Sequence, residues 1–348
     1  MNLKNFYSGK RILVTGHTGF KGAWLCLVLH QMGANVKGIS LPPDDRRGNF
    51  YKIVKLKKKV NSSYIDIRNY RKLEETIKKN KPELIFHLAA QPYVIRSYTN
   101  PIGTITTNII GTTNILEISK NLSSLKALLN ITTDKCYENE EKGKPFRESD
   151  KLGGKDIYSA SKASSELITK SYYESFLKNA GKSIGTARAG NVVGGGDFGE
   201  DRLIPDIFDS IFNNKNLIIR NPKSVRPWQY ILDVINGYLI FMYYLSRYKK
   251  PTFSSYNFAP SRQKIVNVRD ITESICTYFR YKRVKYLKNN DGYSESQNLL
   301  LSPIKAKKDL NWATKYKTMD AIKETIKWNE IYHSNGQAIE RYSVNLIK

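Results

Sequence analysis

Cysteine is scarce in this 348-residue chain, and Cys26, Cys136 and Cys276 stand far apart with no C-x-x-C pair. That excludes a disulfide framework and a cysteine-based zinc site, and no metal is expected. Two of the three cysteines fall in apolar-periodic segments, which predicts burial. A run of ~18 apolar residues, the length needed to cross a membrane, is also missing. The richest stretch, Tyr230 to Leu245, is interrupted by Asp233 and Asn236. The N-terminal residues carry no apolar signal core followed by a small-residue cleavage site, so a cytoplasmic location and no membrane partner are expected. Acidic residues are few as well: 31 against 57 lysines and arginines leave a net charge of +26. A nucleic-acid binder would use such a charge. The lysines are dispersed, however, as in Lys55 to Lys59 and Lys78 to Lys81, which reads as a solvated surface favourable to an anionic substrate.

What is present is an alternation of strand-like and helix-like segments. "RILVTG" reads as a buried strand, and Leu25, Val28, Leu29 and Met32 then give the i, i+3, i+4, i+7 stripe of a helix. "NVKGISL", "SSYIDI" and "PELIFHLAA" follow as strands, then "KALLNITTDK", a helix from Ile157 to Leu177, and the strand "SIGTARAGNVVG". This order requires parallel strands and right-handed crossovers, hence an α/β fold with a doubly wound parallel sheet. Past Gly194 the chain becomes glycine-rich, charged and loop-rich, and from Val266 mostly helical. The length fits a core domain with a smaller companion. Residues 1–190 and 230–260 are expected to form the dinucleotide-binding part, and 191–229 and 261–348 a ligand-binding part.

Gly16, Gly19 and Gly22 stand where the first strand gives way to the first helix, with His17, Thr18, Phe20 and Lys21 between them. Glycine there lets the backbone approach a pyrophosphate at a helix N-terminus. Ser40 stands near the end of the second strand, where NAD sites usually place an acid, and Asp44 and Asp45 come later. The choice between NAD and NADP is therefore open locally. Asp66 is read as closing the third strand, where it either meets the adenine or caps the strand end. The spacing Y-x-x-x-K puts both side chains on one helix face, and an ammonium favours a phenolate base. It occurs at Tyr51/Lys55, Tyr158/Lys162, Tyr278/Lys282 and Tyr281/Lys285. Position after the "ITTDK" strand selects Tyr158 and Lys162. Thr133, Asp134 and Lys135 end that strand at the carboxyl edge, where a hydroxyl, an acid of raised pKa and a desolvated amine would face a ligand.

The segments "TGHTGFKG", "FHLAAQP", "TDKCYEN", "YSASK", "ARAGNVVGGGD", "RLIPDI", "IRNPKSVRPWQ" and "YSVN" span the chain. Together they make it resemble the nucleotide-sugar dehydratases of the extended short-chain dehydrogenase/reductase family. Lys135 stands where the dTDP-sugar branch carries glutamate, which is the pattern of the branch acting on CDP-glucose. The resemblance implies a Rossmann fold with a smaller C-terminal substrate domain and NAD recycled within each turnover. It implies oxidation at C4, loss of water across C5 and C6, and hydride return to C6, as in surface-polysaccharide deoxysugar biosynthesis. Tyr158, Thr133 and Lys162 would serve the C4 step, Lys135 would take the C5 proton, and Asp134 would protonate the leaving C6 hydroxyl. Residues 16–22, Asp66, Ile67, Leu88, Ala89, Ala90, Tyr158 and Lys162 would contact NAD. Arg96, Asn191, Arg202, Leu203, Arg220, Arg226 and Glu295 would hold the nucleotide sugar. A homodimer or homotetramer paired through helices is implied, with no nucleic acid. Tyr230 departs from the histidine usual after "RPWQ". The alternative activities are epimerisation and dehydration of another nucleotide sugar. Asp134 with Lys135 argues against epimerisation.

Overall fold

Strand β1 (Arg11–Thr15) sends Ile12 and Val14 to one face and Leu13 to the other, and all three are buried. Ile12 and Val14 join Trp24, Leu25 and Leu29 of the helix Phe20–Gln31 and the helix Ile231–Leu245. Leu13 joins Leu73, Ile77, Ile115 and Leu116 from helices on the opposite side. A strand apolar on both faces must be covered on both, and three layers result. The computed structural model describes residues 1–44, 46–139, 143–260, 266–287 and 299–347. Asp45 and Glu295 lie outside the described residues.

β1 pairs in parallel with β2 (Asn35–Ser40) on one side and with β4 (Leu84–His87) on the other. β3 (Asn61–Tyr64) extends the sheet beyond β2. β5 (Ala127–Ile131) and β6 (Ser183–Ala189) extend it beyond β4. A seventh strand, Phe253–Phe258, pairs with β6 and gives the order Phe253–Phe258, β6, β5, β4, β1, β2, β3. The chain turns back between β1 and β4, which opens a crevice at their carboxyl ends.

The apolar stretch that begins at Tyr230 becomes the core helix Ile231–Leu245. Asp233, which interrupts it, accepts the backbone amides of Lys315 at 3.0 Å and Tyr316 at 3.1 Å, so the carboxylate anchors the C-terminal segment. Among the described residues no helix is long and apolar enough to cross a membrane. All three cysteines are buried and free.

Three segments differ from the reading of the sequence. β3 ends at Tyr64, so Asp66 does not close it. After Ile65 pairs with Ser40, Asp66 turns its carboxylate onto the backbone amide and guanidinium of Arg68. "SIGTARAGNVVG" is not one strand: β6 stops at Ala189, and Val192–Val193 pairs with Gln229–Tyr230. The break falls at Gly190, where a Cβ would lie 2.3 Å from Pro227 and 3.0 Å from Asp134 Oδ2. The helical tail also contains the strand Val284–Tyr286, paired with Leu217–Ile219.

Candidate active site

The glycine turn follows β1 directly. Gly16 has φ +77°, and a Cβ there would sit 2.8 Å from the Ala89 amide nitrogen and 2.9 Å from the Leu88 carbonyl carbon. A Cβ on Gly22 would lie 2.1 Å from the Gly16 carbonyl oxygen. These two glycines are required by backbone packing inside the protein. Gly19 differs: its Cβ would meet nothing nearer than the Gly16 oxygen at 3.5 Å. It caps the helix Phe20–Gln31 without a side-chain bond, so the first amides of the helix face an open cradle. The residues present fit the pyrophosphate of a dinucleotide.

The surroundings of the turn are polar and fixed. Thr18 Oγ1 lies 2.8 Å from Ser40 Oγ and donates to the Leu41 carbonyl at 3.0 Å. His17 is fully buried with Nε2 3.0 Å from Ser62 Oγ, and burial pushes its pKa down to about 4. Thr15 Oγ1 contacts His87 Nδ1 at 2.7 Å and accepts the amides of Leu88 and Ala89 at 3.1 and 3.2 Å, which aligns the ends of β1 and β4. Ala90 continues that edge, and Ile67 is buried with its side chain against Gly111. Asp66 carries its own arginine, Arg68, with an Nη2 to Oδ2 distance of 2.6 Å.

Of the four Tyr/Lys pairs, Tyr158 and Lys162 alone share a helix, Ile157–Tyr172. Lys55 is left-handed and lies outside the short helix of Tyr51, the helix of Tyr278 ends at that residue, and Lys285 is on a strand. Both Tyr158 and Lys162 are buried, at 7% exposure each. Desolvation pushes Tyr158 up to about 12, while Thr133 beside it and Arg202 act in the lowering direction. Arg202 is a cation whose charge acts on the phenol in the lowering direction. Lys162 points its ammonium at the Ile131 carbonyl, 3.5 Å away. Burial brings its pKa down to about 8 against the opposing charge of Glu166.

Beyond β5, Thr133 caps a short turn over Asp134–Cys136. Asp134 is 3% exposed, accepts the Thr133 hydroxyl through Oδ1 at 2.9 Å, and has no partner for Oδ2 among the described residues. Burial raises its pKa, against the charges of Lys135, Arg226 and Lys21 and the Thr133 bond. Lys135 is half-buried beside it. Lys21, expected to serve the cofactor, has its charge among Arg202, Asp134, Lys162 and Asp197, and burial brings it down to about 8. The acid is thus ringed by three cations from three parts of the chain.

The expected substrate anchors separate into two groups. Arg226 is 7% exposed, donates to the Val225 carbonyl at 2.9 Å and bears on Asp134. Its loop is pinned by Val268 and Arg269 amides donating to Ser224 and Pro222. Arg202 pairs with Asp197 at 3.1 Å and lies over the Tyr93 ring at 5.1 Å. Leu203 starts the helix that follows it, and half-buried Asn191 gives its carbonyl to the Gln229 amide. Arg220 instead pairs with Asp201 at 3.5 Å at the surface, and Arg96 is exposed with its charge toward Asp44. Tyr230 is buried against Tyr316 with ring centroids 4.4 Å apart.

Reading the sequence missed the polar network behind the site. Glu166 and Arg188 form an ion pair at 2.8 Å with side chains 1% and 4% exposed. Glutamate four residues after Lys162 on one helix was the available signal.

A parallel sheet with a glycine turn at its switch point and a Tyr/Lys helix beside β5 defines an extended short-chain dehydrogenase/reductase. The chain belongs to the GDP-mannose 4,6 dehydratase family, whose pattern matches residues 13–325. It is 40% identical over 334 residues to the CDP-glucose 4,6-dehydratase of Salmonella typhimurium, covering 94% of this chain and 93% of that protein. The fold is similar to dTDP-glucose 4,6-dehydratase from Bacillus anthracis in complex with NAD, with a TM-score of 0.77 and 24% identity over 93% of this chain and 96% of that one. It is likewise similar to a UDP-glucose 4-epimerase from Thermotoga maritima solved with UDP-glucose, with a TM-score of 0.79 and 23% identity over 93% and 99% of the two chains.

Proposed function

We infer that this protein is an NAD-dependent nucleotide-sugar 4,6-dehydratase, a hydro-lyase that converts CDP-glucose to its 4-keto-6-deoxy derivative. The observation that carries the reading is Asp134, a buried carboxyl of raised pKa with one unpartnered oxygen at the carboxyl end of β5. A buried acid that keeps its proton toward neutral pH can protonate a leaving hydroxyl. An epimerase has no leaving group to protonate.

Bound NAD supplies a reversible two-electron acceptor for the sugar's C4 carbon. The cradle from Gly16 to Gly22 and the edge from Leu88 to Ala90 would hold it, with Asp66, Ile67, Tyr158 and Lys162. Tyr158 takes the proton of the C4 hydroxyl, with Thr133 and Lys162 orienting it. The 4-keto group then acidifies the C5 hydrogen, Lys135 removes that proton, and Asp134 delivers its own proton to the C6 oxygen, which leaves as water; the resulting C5–C6 double bond would take the hydride back at C6 and a proton at C5, which restores the oxidised cofactor. The charges of Lys21 and Arg226 lower the proton affinity of Asp134. Arg202, with Asn191, faces the nucleoside diphosphate, since a guanidinium offers paired donors in one plane. Segments 191–229 and 261–348 form the substrate-binding part against the NAD-binding residues 1–190 and 230–260.

The product suits a cytoplasmic step in surface-polysaccharide deoxysugar synthesis. Self-association into a homodimer or homotetramer is supported by exposed Ile102 and Ile110, and by Leu167 and Phe176 on the outer side of the neighbouring tyrosine helix and its extension. Substrate choice is tested by competition: CDP-glucose, dTDP-glucose, UDP-glucose and GDP-mannose are offered in equal amounts with NAD. Selective consumption of CDP-glucose is expected; preference for another base would reassign the substrate while leaving the chemistry in place.

A further inference from the structure

Glu166 lies one turn beyond Lys162 on the tyrosine helix and is 2% exposed. One carboxylate oxygen accepts the Thr132 hydroxyl, and also Arg188 Nε at 3.0 Å. The other accepts the Thr186 hydroxyl at 2.7 Å and Arg188 Nη2 at 2.8 Å. Arg188 Nη1 continues the network to the Tyr137 hydroxyl at 2.7 Å, which donates to Asn257 at 2.8 Å. One side chain thereby joins the tyrosine helix, the end of β5 and two residues of β6. A buried ion pair is weak evidence for stability, because desolvation of both charges offsets their attraction. Its placement is more informative: Thr132 immediately precedes Thr133 and Asp134.

We propose that Glu166 is a positioning residue: by holding the Thr132 hydroxyl, it fixes the strand end carrying Thr133 and Asp134 against the helix carrying Tyr158 and Lys162. The inference rests on the reading of those four residues as the reacting groups. Reactions of this kind need their groups set within a fraction of an ångström, and a 1 Å misplacement costs on the order of a hundredfold. Glu166 has a second, electrostatic effect. The charged or titratable groups bearing on Lys162 are Glu166 on its own helix, Cys136 from the strand-end turn, His87 from β4 and Lys21 from the glycine-turn helix. Among these, the Glu166 carboxylate does most to keep the ammonium protonated. Its removal therefore lets Lys162 lose its proton at lower pH.

Two variants separate these effects. Thr132→Val removes the tether and leaves the ion pair satisfied by Thr186 and Arg188. It is expected to lower kcat by at least about tenfold with KM for CDP-glucose unchanged. The double variant Glu166→Gln/Arg188→Met removes both buried charges together. In it, Lys162 is expected to titrate at lower pH in NMR of lysine-labelled protein, and the alkaline limb of the pH–rate profile is expected to move the same way. Wild-type kcat in Thr132→Val, or a Lys162 titration unmoved in the double variant, would overturn the proposal. Thr132→Val decides alone if the double variant does not fold. The lysine titration needs no turnover, so it still tests Glu166 if CDP-glucose proves not to be the substrate.

Discussion

Thr133 donates its hydroxyl to one oxygen of Asp134 at 2.9 Å, while the other oxygen is buried and has no partner among the described residues. That asymmetry gives the carboxyl a fixed orientation and leaves one oxygen without a bond among the described residues. Asp134→Asn keeps the shape and removes the acid. C4 oxidation, followed by the absorbance of reduced nicotinamide, is expected to persist while product formation falls by about 100-fold or more. Product formation at the wild-type rate would remove Asp134 from the elimination.

The same residue has a stability signature. Its folded pKa is raised above the unfolded value of 3.8. The folded state then binds more protons than the unfolded chain in that window, so stability is lost as pH rises through it. Wild-type protein carries the full cost above the folded pKa, and Asn carries none. Asp134→Asn is expected to raise the melting temperature at neutral pH, with the gain vanishing as pH falls below the unfolded value. Calorimetry across pH checks the direction.

Lys21 lowers the pKa of Asp134 by its charge. Lys21→Met removes that charge, so Asp134 should hold its proton to higher pH. The alkaline decline of the elimination step is then expected to move upward in pH. An unchanged profile with weaker NAD binding would return Lys21 to the cofactor.

Lys135→Ala is expected to stop dehydration while C4 oxidation stays measurable. Exchange of the C5 hydrogen with deuterated solvent is the sharper readout, because it isolates proton removal from water loss. Exchange at the wild-type rate would deny Lys135 the role of C5 base.

The glycines give a test that separates cradle from scaffold. A Cβ on Gly22 meets backbone at 2.1 Å, whereas one on Gly19 meets nothing within 3.4 Å. Gly22→Ala is expected to unfold or strongly destabilise the protein. Gly19→Ala should fold normally and lose NAD affinity, measured by calorimetric titration.

The doubly wound sheet was legible because β1, β4 and β5 are apolar on both faces and alternate with helical stripes. The glycine turn and the Tyr158/Lys162 helix were legible from position, since spacing alone produced four candidates. The strand Phe253–Phe258 was not: "FSSYNF" carries three polar residues and becomes a strand through its pairing with β6. The companion charges of the site were hidden for a similar reason. Arg226 acts on Asp134 by its charge from a loop held by Val268 and Arg269, and Glu166 meets Arg188 across two elements. Contacts of that range leave no local periodicity to read.

Removal of water across C5 and C6 of a CDP-linked glucose can be read from the structure of the product. Purified protein with NAD and CDP-glucose in deuterated water should give one product, followed by NMR. The expected species carries a methyl group at C6, a keto group at C4 and deuterium at C5. A product that retains its C6 hydroxyl, inverted at C4 or unchanged, would show that the site does not eliminate water.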